Sequence, residues 1–140
     1  MTMKLLRILP IAAGALVLAG CSASASFEAE LTAAVAESKG SLVLSSLPAV
    51  DGSSFLVVCP YDSAASIAER LGFAWADAPD VSQDDGRQTV VIIEGDEVTS
   101  HVELSRGEID FCAGEEWAAL PTDTRLTVTR TEDAAVITAP

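Results

Sequence analysis

The chain has 140 residues and a formal net charge of −13, with 21 acidic residues against 8 basic ones. This length suits a single domain with a modest hydrophobic core. The negative charge disfavours nucleic acid, anionic lipid headgroups and anionic wall polymers as partners, because they carry the same sign. Basic, neutral or apolar partners stay open, and so does the simpler interpretation that the charge only keeps the protein soluble.

Residues 1–20 (MTMKLLRILPIAAGALVLAG) have the layout of an export signal. Lys4 and Arg7 precede an apolar stretch at 8–19, too short for a bilayer core of about 30 Å, which needs about 20 residues. The stretch runs into the letters LAGC, which resemble the lipobox of bacterial lipoproteins. In that family the cysteine sulfur receives a diacylglycerol and the chain is cut just before it, which implies lipidation of Cys21. An ordinary secretory signal with an incidental cysteine is the alternative.

This interpretation divides the chain. Residues 1–20 hold two of the 8 basic residues and none of the 21 acidic ones, so the chain from Cys21 onward carries −15. We expect a signal peptide at 1–20, a lipidated tether at 21–26 and one acidic domain at 27–140. Because two acyl chains hold a protein stably on a bilayer, we expect it on the extracytoplasmic face of the cell membrane.

The two other cysteines, Cys59 and Cys112, form a pair with one possible connectivity. An exported protein meets oxidising surroundings, which favour a structural disulfide. The alternatives are two buried thiols or a reactive one. A zinc site is disfavoured, because the only histidine, His101, cannot complete a usual ligand set with both cysteines.

The first half of the chain contains two predicted helices and one strong strand. The spacing of Phe27, Leu31 and Val35 predicts a helix over Phe27–Gly40, with Gly40 as its terminating residue. A short strand is expected at 42–44. The apolar run FLVVC at 55–59 predicts a central strand that Pro60 ends, and a second helix runs from Asp62 or Ser63 to Leu71, before Gly72.

The second half is dominated by strands. After an Asp-rich loop at 73–86, the run TVVII at 89–93 predicts a strand, and the alternation over 98–104 predicts its half-exposed hairpin partner. Residues 109–112 then bring the second cysteine back toward the sheet. One helical turn is expected at 115–120, followed by a last hairpin that turns near Glu132-Asp133.

This order of elements predicts an α+β fold: a small antiparallel sheet with two helices packed on one face and one disulfide. A doubly wound parallel sheet is the weaker alternative, because only one strand–helix–strand unit is visible. We expect no second domain, since the chain shows no repeats.

Catalytic and metal-binding constellations are weak. His101 is the only candidate base, it lies mid-strand, and no G-x-S-x-G elbow occurs. In the acidic loop 77–85, Asp80, Ser82 and Asp84 alternate as in an EF-hand. Gly86 is one place late and Val91 stands where the closing Glu belongs, which leaves at most a weak calcium site. We therefore expect no enzyme activity, no cofactor and no dedicated metal site.

One corner of the chain invites two interpretations. Pro60 and Tyr61 follow Cys59, and Asp110 would lie beside them if the disulfide forms. Arg70 and Arg87 are rare positive charges here. The structural interpretation packs Tyr61 on the disulfide and pairs both arginines with acids. The functional one makes Pro60, Tyr61, Arg70 and Asp110 a shallow site for a partner peptide or small ligand.

The segment FLVVCPYDSAASIAERLGFAW, the strand TVVII and the triplet DFC resemble a group of small bacterial membrane lipoproteins, with an actinobacterial type of composition. The resemblance covers about residues 50–112 and implies no activity. The sequence thus predicts a non-enzymatic envelope lipoprotein that binds an envelope protein or small ligand, and no nucleic acid. The alternative is an inhibitor or modulator of a secreted hydrolase.

Overall fold

The computed structural model describes residues 26–114 and 116–140. The elements there are two α-helices, a 3-10 turn and eight strands. In chain order they are α1 (Phe27–Glu37), β1 (Ser41–Leu42), the 3-10 turn (Leu44–Ser46), β2 (Ser54–Val58), α2 (Ala64–Leu71), β3 (Arg87–Glu94), β4 (Glu97–Ser105), β5 (Ile109–Asp110), β6 (Leu120–Pro121), β7 (Leu126–Arg130) and β8 (Ala135–Thr138).

The strands form two four-stranded sheets. The first has the order β4-β3-β2-β6 and is antiparallel throughout. The second has the order β1-β7-β8-β5, in which only β5 and β8 run parallel. At the centre of the first sheet, β2 and β3 are buried on both faces. Their continuous runs of β-branched, aliphatic and aromatic residues suit a strand covered from both sides.

The hydrophobic core joins the two sheets and α1 in one cluster of buried side chains. From α1, Phe27, Leu31 and Val35 contribute to it, at the spacing that places them on one helical face. The guanidinium of Arg130 in β7 donates to the carbonyl oxygens of Val35 and Ala36 at 2.7 and 2.9 Å. A cation thus satisfies the carbonyl end of α1, where the helix dipole favours positive charge.

Both helices begin at serine caps. The Ser26 hydroxyl accepts from the Ala29 amide at 3.3 Å, so the last residue of the predicted tether belongs to the folded domain. Ser63 forms a reciprocal capping pair with Ser66 at the start of α2, and Gly72 ends α2 at a φ of 81°. These local signals explain why both helices begin, and α2 ends, at the predicted positions. The predicted end of α1 at Gly40 is wrong: α1 ends at Glu37, where Ser38 is already extended and Arg130 bonds the last carbonyls.

The α+β class, two helices and one disulfide are confirmed, but the strands are divided between two sheets instead of one. The edge of β2 that the C-terminal hairpin could have joined is occupied by β6. The β7–β8 hairpin therefore pairs with β1 and β5. The helices also contact different strands, α1 lying against β4 and α2 against β2.

The predicted helical turn at 115–120 is wrong over its described part. Trp117 is buried, and its indole N–H donates to the Phe111 carbonyl at 2.6 Å. The Trp117 carbonyl accepts from Arg70 at 3.0 Å, and Leu120 of β6 pairs with Phe55 of β2. Burial of one large aromatic side chain and these tertiary hydrogen bonds outweigh a marginal local helix preference.

The predicted signal peptide at 1–20, the lipidation site Cys21 and tether residues 21–25 lie outside the described residues. Within 26–114 and 116–140, neither helix has the length and apolar character needed to span a bilayer.

Candidate functional site

The predicted disulfide is present and forms the base of the corner. Cys59 after β2 is bonded to Cys112 after β5, with 5.7 Å between their Cα atoms. We use the name Tyr61 corner for residues 59–62 together with Cys112. Its surface is a shallow depression of about 340 Å³, lined by Cys59, Pro60, Tyr61, Asp62, Cys112, Gly114 and Glu116.

Tyr61 protrudes from this corner. It is 67% exposed and is the only large hydrophobic side chain exposed among the described residues. Its φ is 69°, in the left-handed region, and no other non-glycine residue of that part of the chain has a positive φ. The Asp62 amide donates to the Cys59 carbonyl at 3.2 Å, which closes a turn with Pro60 and Tyr61 at its centre. Pro followed by a positive φ is the pattern of a type II turn, where glycine is usual.

The turn is fixed from outside itself. The Tyr61 amide donates to the Val81 carbonyl at 2.9 Å, across to the loop that follows α2. A left-handed non-glycine residue costs about 1 kcal/mol or more and persists where the surrounding structure determines it. Here the disulfide, the Val81 contact and the neighbouring carboxylate of Asp62 provide that determination.

Asp62 ties the corner to α2. Its carboxylate accepts from the Cys59 amide at 2.8 Å, from the Ser66 hydroxyl at 3.2 Å and from the Arg70 guanidinium. The side chains of Arg70 and Asp62 are only 13% and 14% exposed. Arg70 also donates to the carbonyls of Val57 and Trp117, at 3.1 and 3.0 Å. One guanidinium therefore links the corner, β2 and the segment before β6.

A second arginine holds the other cysteine. Arg106 donates two hydrogen bonds of 3.0 Å to the Asp110 carboxylate and a third, of 3.3 Å, to the Cys112 carbonyl. Asp110 in turn accepts from the Cys112 amide at 2.7 Å. The hydrogen bonds that Arg106 donates to Asp110 are the main reason why the pKa of Arg106 lies above its ordinary value. Burial has a smaller, opposing effect. The bidentate geometry fixes Cys112 in orientation as well as in position.

The four residues predicted for this site thus have different roles. Pro60 and Tyr61 line the open depression, whereas Arg70 and Asp110 support it from below and do not line it. The structural interpretation is right about the arginines: Arg70 pairs with Asp62, and Arg87 pairs with Glu103 and Asp84. Tyr61 is largely exposed, and it lines the same depression as the two bridged cysteines.

Three residues that matter for this site were not predicted from the sequence. Arg106 precedes Asp110 by four residues, a charge spacing that could have drawn attention to it. Trp117 stood out only as one of two tryptophans. Gln88 gave no signal, yet it is fully buried in β3, where its amide accepts from the Phe111 N–H at 2.9 Å and donates to the Ile109 carbonyl. It joins β3 to the segment that carries Cys112.

A second concavity adjoins the corner. We use the name Trp117 cavity for a mainly apolar space of about 370 Å³ between the segment before β6 and the end of β8. Its lining includes Phe111, Trp117, Leu120, Ile137 and Ala139, with Gly114 and Glu116 at the side toward the corner. The rings of Phe55 and Phe111 each lie 5.9 Å from that of Trp117 and hold the indole in place.

In the acidic loop 77–85, the carboxylates of Asp80 and Asp84 accept hydrogen bonds from near neighbours, whereas the buried Val81 bonds the corner. Asp80 accepts from the amide and hydroxyl of Ser82, and these bonds lower the pKa of the Asp80 carboxyl. Asp84 accepts from the Gly86 amide at 2.9 Å. Within 26–114 and 116–140, no three His, Cys, Asp or Glu side chains are grouped to hold a metal ion. His101 is exposed on β4, with its ring 5.2 Å from Trp75.

No family model matches the chain, and neither the curated proteins nor the solved structures contain a significant match to it.

Proposed function

We propose that this protein is a lipid-anchored, non-enzymatic binding domain of the cell envelope, and that the Tyr61 corner is its contact surface. The observation that carries the proposal is the conformation of Tyr61. An aromatic side chain is exposed to solvent on a backbone conformation that favours glycine, and the turn that carries it is held by two other parts of the chain, through the Val81 carbonyl and the disulfide to Cys112.

Burial of the ring does not account for a tyrosine at this position. A tyrosine that stabilised the fold would bury its ring, whereas Tyr61 leaves 67% of its surface exposed. Glycine at the same φ would relieve the strain. Exposed, rigidly held tyrosine is the type of residue that supplies binding energy at protein interfaces, because its ring loses little conformational freedom on contact.

Charge narrows the class of partner. The chain from Cys21 onward carries −15, and the depression at the corner is lined by Glu116 and by Asp62, whose carboxylate pairs with Arg70. A partner with a basic or neutral surface can approach it, whereas an acidic one is repelled. We therefore propose an envelope protein with a basic contact surface.

Membrane anchoring through Cys21 is the second part of the proposal, and it is supported by the signal-like residues 1–20 and the LAGC sequence. Replacement by Cys21→Ser in the full chain should move the protein from the membrane fraction to the medium. Membrane retention equal to that of the unaltered chain would contradict the anchor.

The contact surface can be tested by photo-crosslinking on intact cells that make the full chain. A benzophenone amino acid at Ala64, an exposed position two residues after Asp62, should give one discrete covalent adduct. The same amino acid at Ala33, an exposed position on α1, is the matched control. Adducts at both positions, or at neither, would refute the corner as the contact surface.

The runner-up role, inhibition or modulation of a secreted hydrolase, uses the same surface. It is favoured by one feature, an exposed turn anchored by a disulfide. Identification of the adduct partner by mass spectrometry distinguishes the two roles, because the runner-up requires a hydrolase.

A further inference from the structure

The Tyr61 corner and the Trp117 cavity are adjacent, and the same residues separate them. Gly114 and Glu116 line both concavities. A partner seated on Tyr61 therefore meets the mouth of the cavity directly beside it. The cavity volume of about 370 Å³ lies within the range of sites that hold small organic groups, roughly 300–1,000 Å³.

The chemistry of the cavity wall is apolar and aromatic. Phe111 and Trp117 are buried, and Leu120 and Ala139 are half-buried. Because the indole N–H of Trp117 is already donated to the Phe111 carbonyl, the wall offers ring and aliphatic surface. Such a wall gains free energy when it takes up a large apolar side chain and releases water.

The rim is acidic. Glu116 is exposed where the two concavities meet, and no lysine or arginine lines either of them within the described part of the chain. The two nearby guanidiniums, those of Arg70 and Arg106, donate to Asp62 and Asp110 and so leave Glu116 to a group from outside. Electrostatic complementarity at this rim requires a cation on the partner.

From this arrangement we infer that the partner inserts one large apolar side chain into the Trp117 cavity and places a neighbouring basic residue against Glu116. This inference rests on the proposed function and adds the chemistry of the recognised segment. The occupant is thus a peptide segment in which lysine or arginine flanks phenylalanine, leucine or a similar residue.

Three capped tripeptides test this chemistry on the folded mature chain. They are arginine-phenylalanine-arginine, glutamate-phenylalanine-glutamate and arginine-serine-arginine. In a Trp75→Phe background, Trp117 is the only tryptophan, so its fluorescence reports occupancy of the cavity. The first peptide should bind roughly tenfold more tightly than each of the others, a difference of about 1.4 kcal/mol. Equal affinities for the three peptides, or no response to any, would overturn the inference.

Two variants with matched controls test the location. Ala139→Phe fills the cavity and should abolish the fluorescence response, whereas Ala76→Phe, at an exposed position outside the cavity, should retain it. Glu116→Gln should weaken binding of the arginine peptide about threefold, as expected for an exposed ion pair, and Glu28→Gln should not. Glu116 is exposed, so this second variant keeps the test valid if Ala139→Phe fails to fold.

The two proposals fail in distinguishable ways. An Ala64 adduct that forms equally well in Ala139→Phe, together with absent peptide binding, overturns this inference and leaves the corner as the contact surface. Absence of the Ala64 adduct refutes the proposed function whatever the peptides do.

Discussion

The Tyr61 corner and the acidic loop 77–85 are both polar surface segments, but they are built differently. At the corner, Asp62 bonds Arg70, which reaches β2 and the segment before β6, and a disulfide joins two strands that are distant in sequence. In the loop, the carboxylates of Asp80 and Asp84 bond residues two positions away, and only Val81 between them is buried and bonds the corner.

This difference distinguishes a presented surface from a solvated one. Local turns of the Asp80 kind form wherever Asp and Ser are suitably spaced, and they do not by themselves fix a segment relative to the core. In this loop the buried Val81 provides the link to the core, and the acidic side chains remain on the surface. Contacts from several remote elements do fix it, and they can hold a strained residue such as Tyr61. Variants that weaken the corner and then the loop test this difference.

The largest effect should follow loss of the disulfide. The bridge joins residues 53 apart in sequence, and a crosslink of this length stabilises by roughly 4 kcal/mol in the chain-entropy model. The double variant Cys59→Ala, Cys112→Ala should lose about 2–5 kcal/mol of unfolding free energy, measured by denaturant titration. A loss below about 1 kcal/mol would show that Asp62 and Arg106 hold the corner without the bridge.

Removal of the Asp62 carboxylate should have the next largest effect. Asp62→Ala leaves the Arg70 charge largely buried without its partner and should cost about 2–4 kcal/mol. Glu103→Gln is the control, because Glu103 pairs with Arg87 where both side chains are exposed, at 43% and 56%. That variant should lose less than about 1 kcal/mol. Equal losses would contradict the difference in construction.

Replacement of Tyr61 should raise stability. Tyr61→Gly removes the left-handed strain and an exposed ring, and should increase the unfolding free energy by about 0.5–1 kcal/mol, since glycine adopts a positive φ without penalty and loses somewhat more chain entropy. Gly72→Ala is an informative contrast, because it introduces strain at a φ of 81° and should destabilise. A marked destabilisation by Tyr61→Gly would mean that the ring supports the fold.

The smallest effect belongs to the acidic loop. Its Ser82 hydrogen bonds hold the pKa of Asp80 below the ordinary value of 3.8. Because the pKa of Asp80 is lower in the folded state, its carboxylate stabilises the fold at pH values above the unfolded-state pKa. This contribution is lost as the pH falls through the folded-state pKa. Titration of the Asp80 carboxyl by NMR should therefore give a midpoint below that of Ser82→Ala. Identical midpoints would contradict the role assigned to Ser82.

Local sequence signals predicted most of the fold. Ser63, Gly72 and the spacing of Phe27, Leu31 and Val35 mark helix ends and faces within a few residues, and their positions agree with the structure. The division into two sheets was not predictable in this way, because it depends on the two-residue strand β6, whose pairing with β2 involves residues about 65 apart in sequence.

The candidate site was predictable only in part. With Cys21 assigned to lipidation, the one remaining pair of cysteines predicted the disulfide, and the Cys-Pro-Tyr sequence indicated the corner. The left-handed backbone of Tyr61 was not visible, since tyrosine rarely adopts it and only the Val81 contact and the bridge explain it. Arg106 and Gln88 were not predicted for the same reason: their partners come together through tertiary packing.

The central claim is that the fold holds Tyr61 for a partner, and one measurement tests it most directly. The yield of the Ala64 photo-adduct on intact cells should fall at least severalfold in Tyr61→Gly, while Tyr61→Phe, which keeps the ring, retains most of it. An undiminished yield from folded Tyr61→Gly would contradict the account, because the corner would then bind without the residue it is built to present.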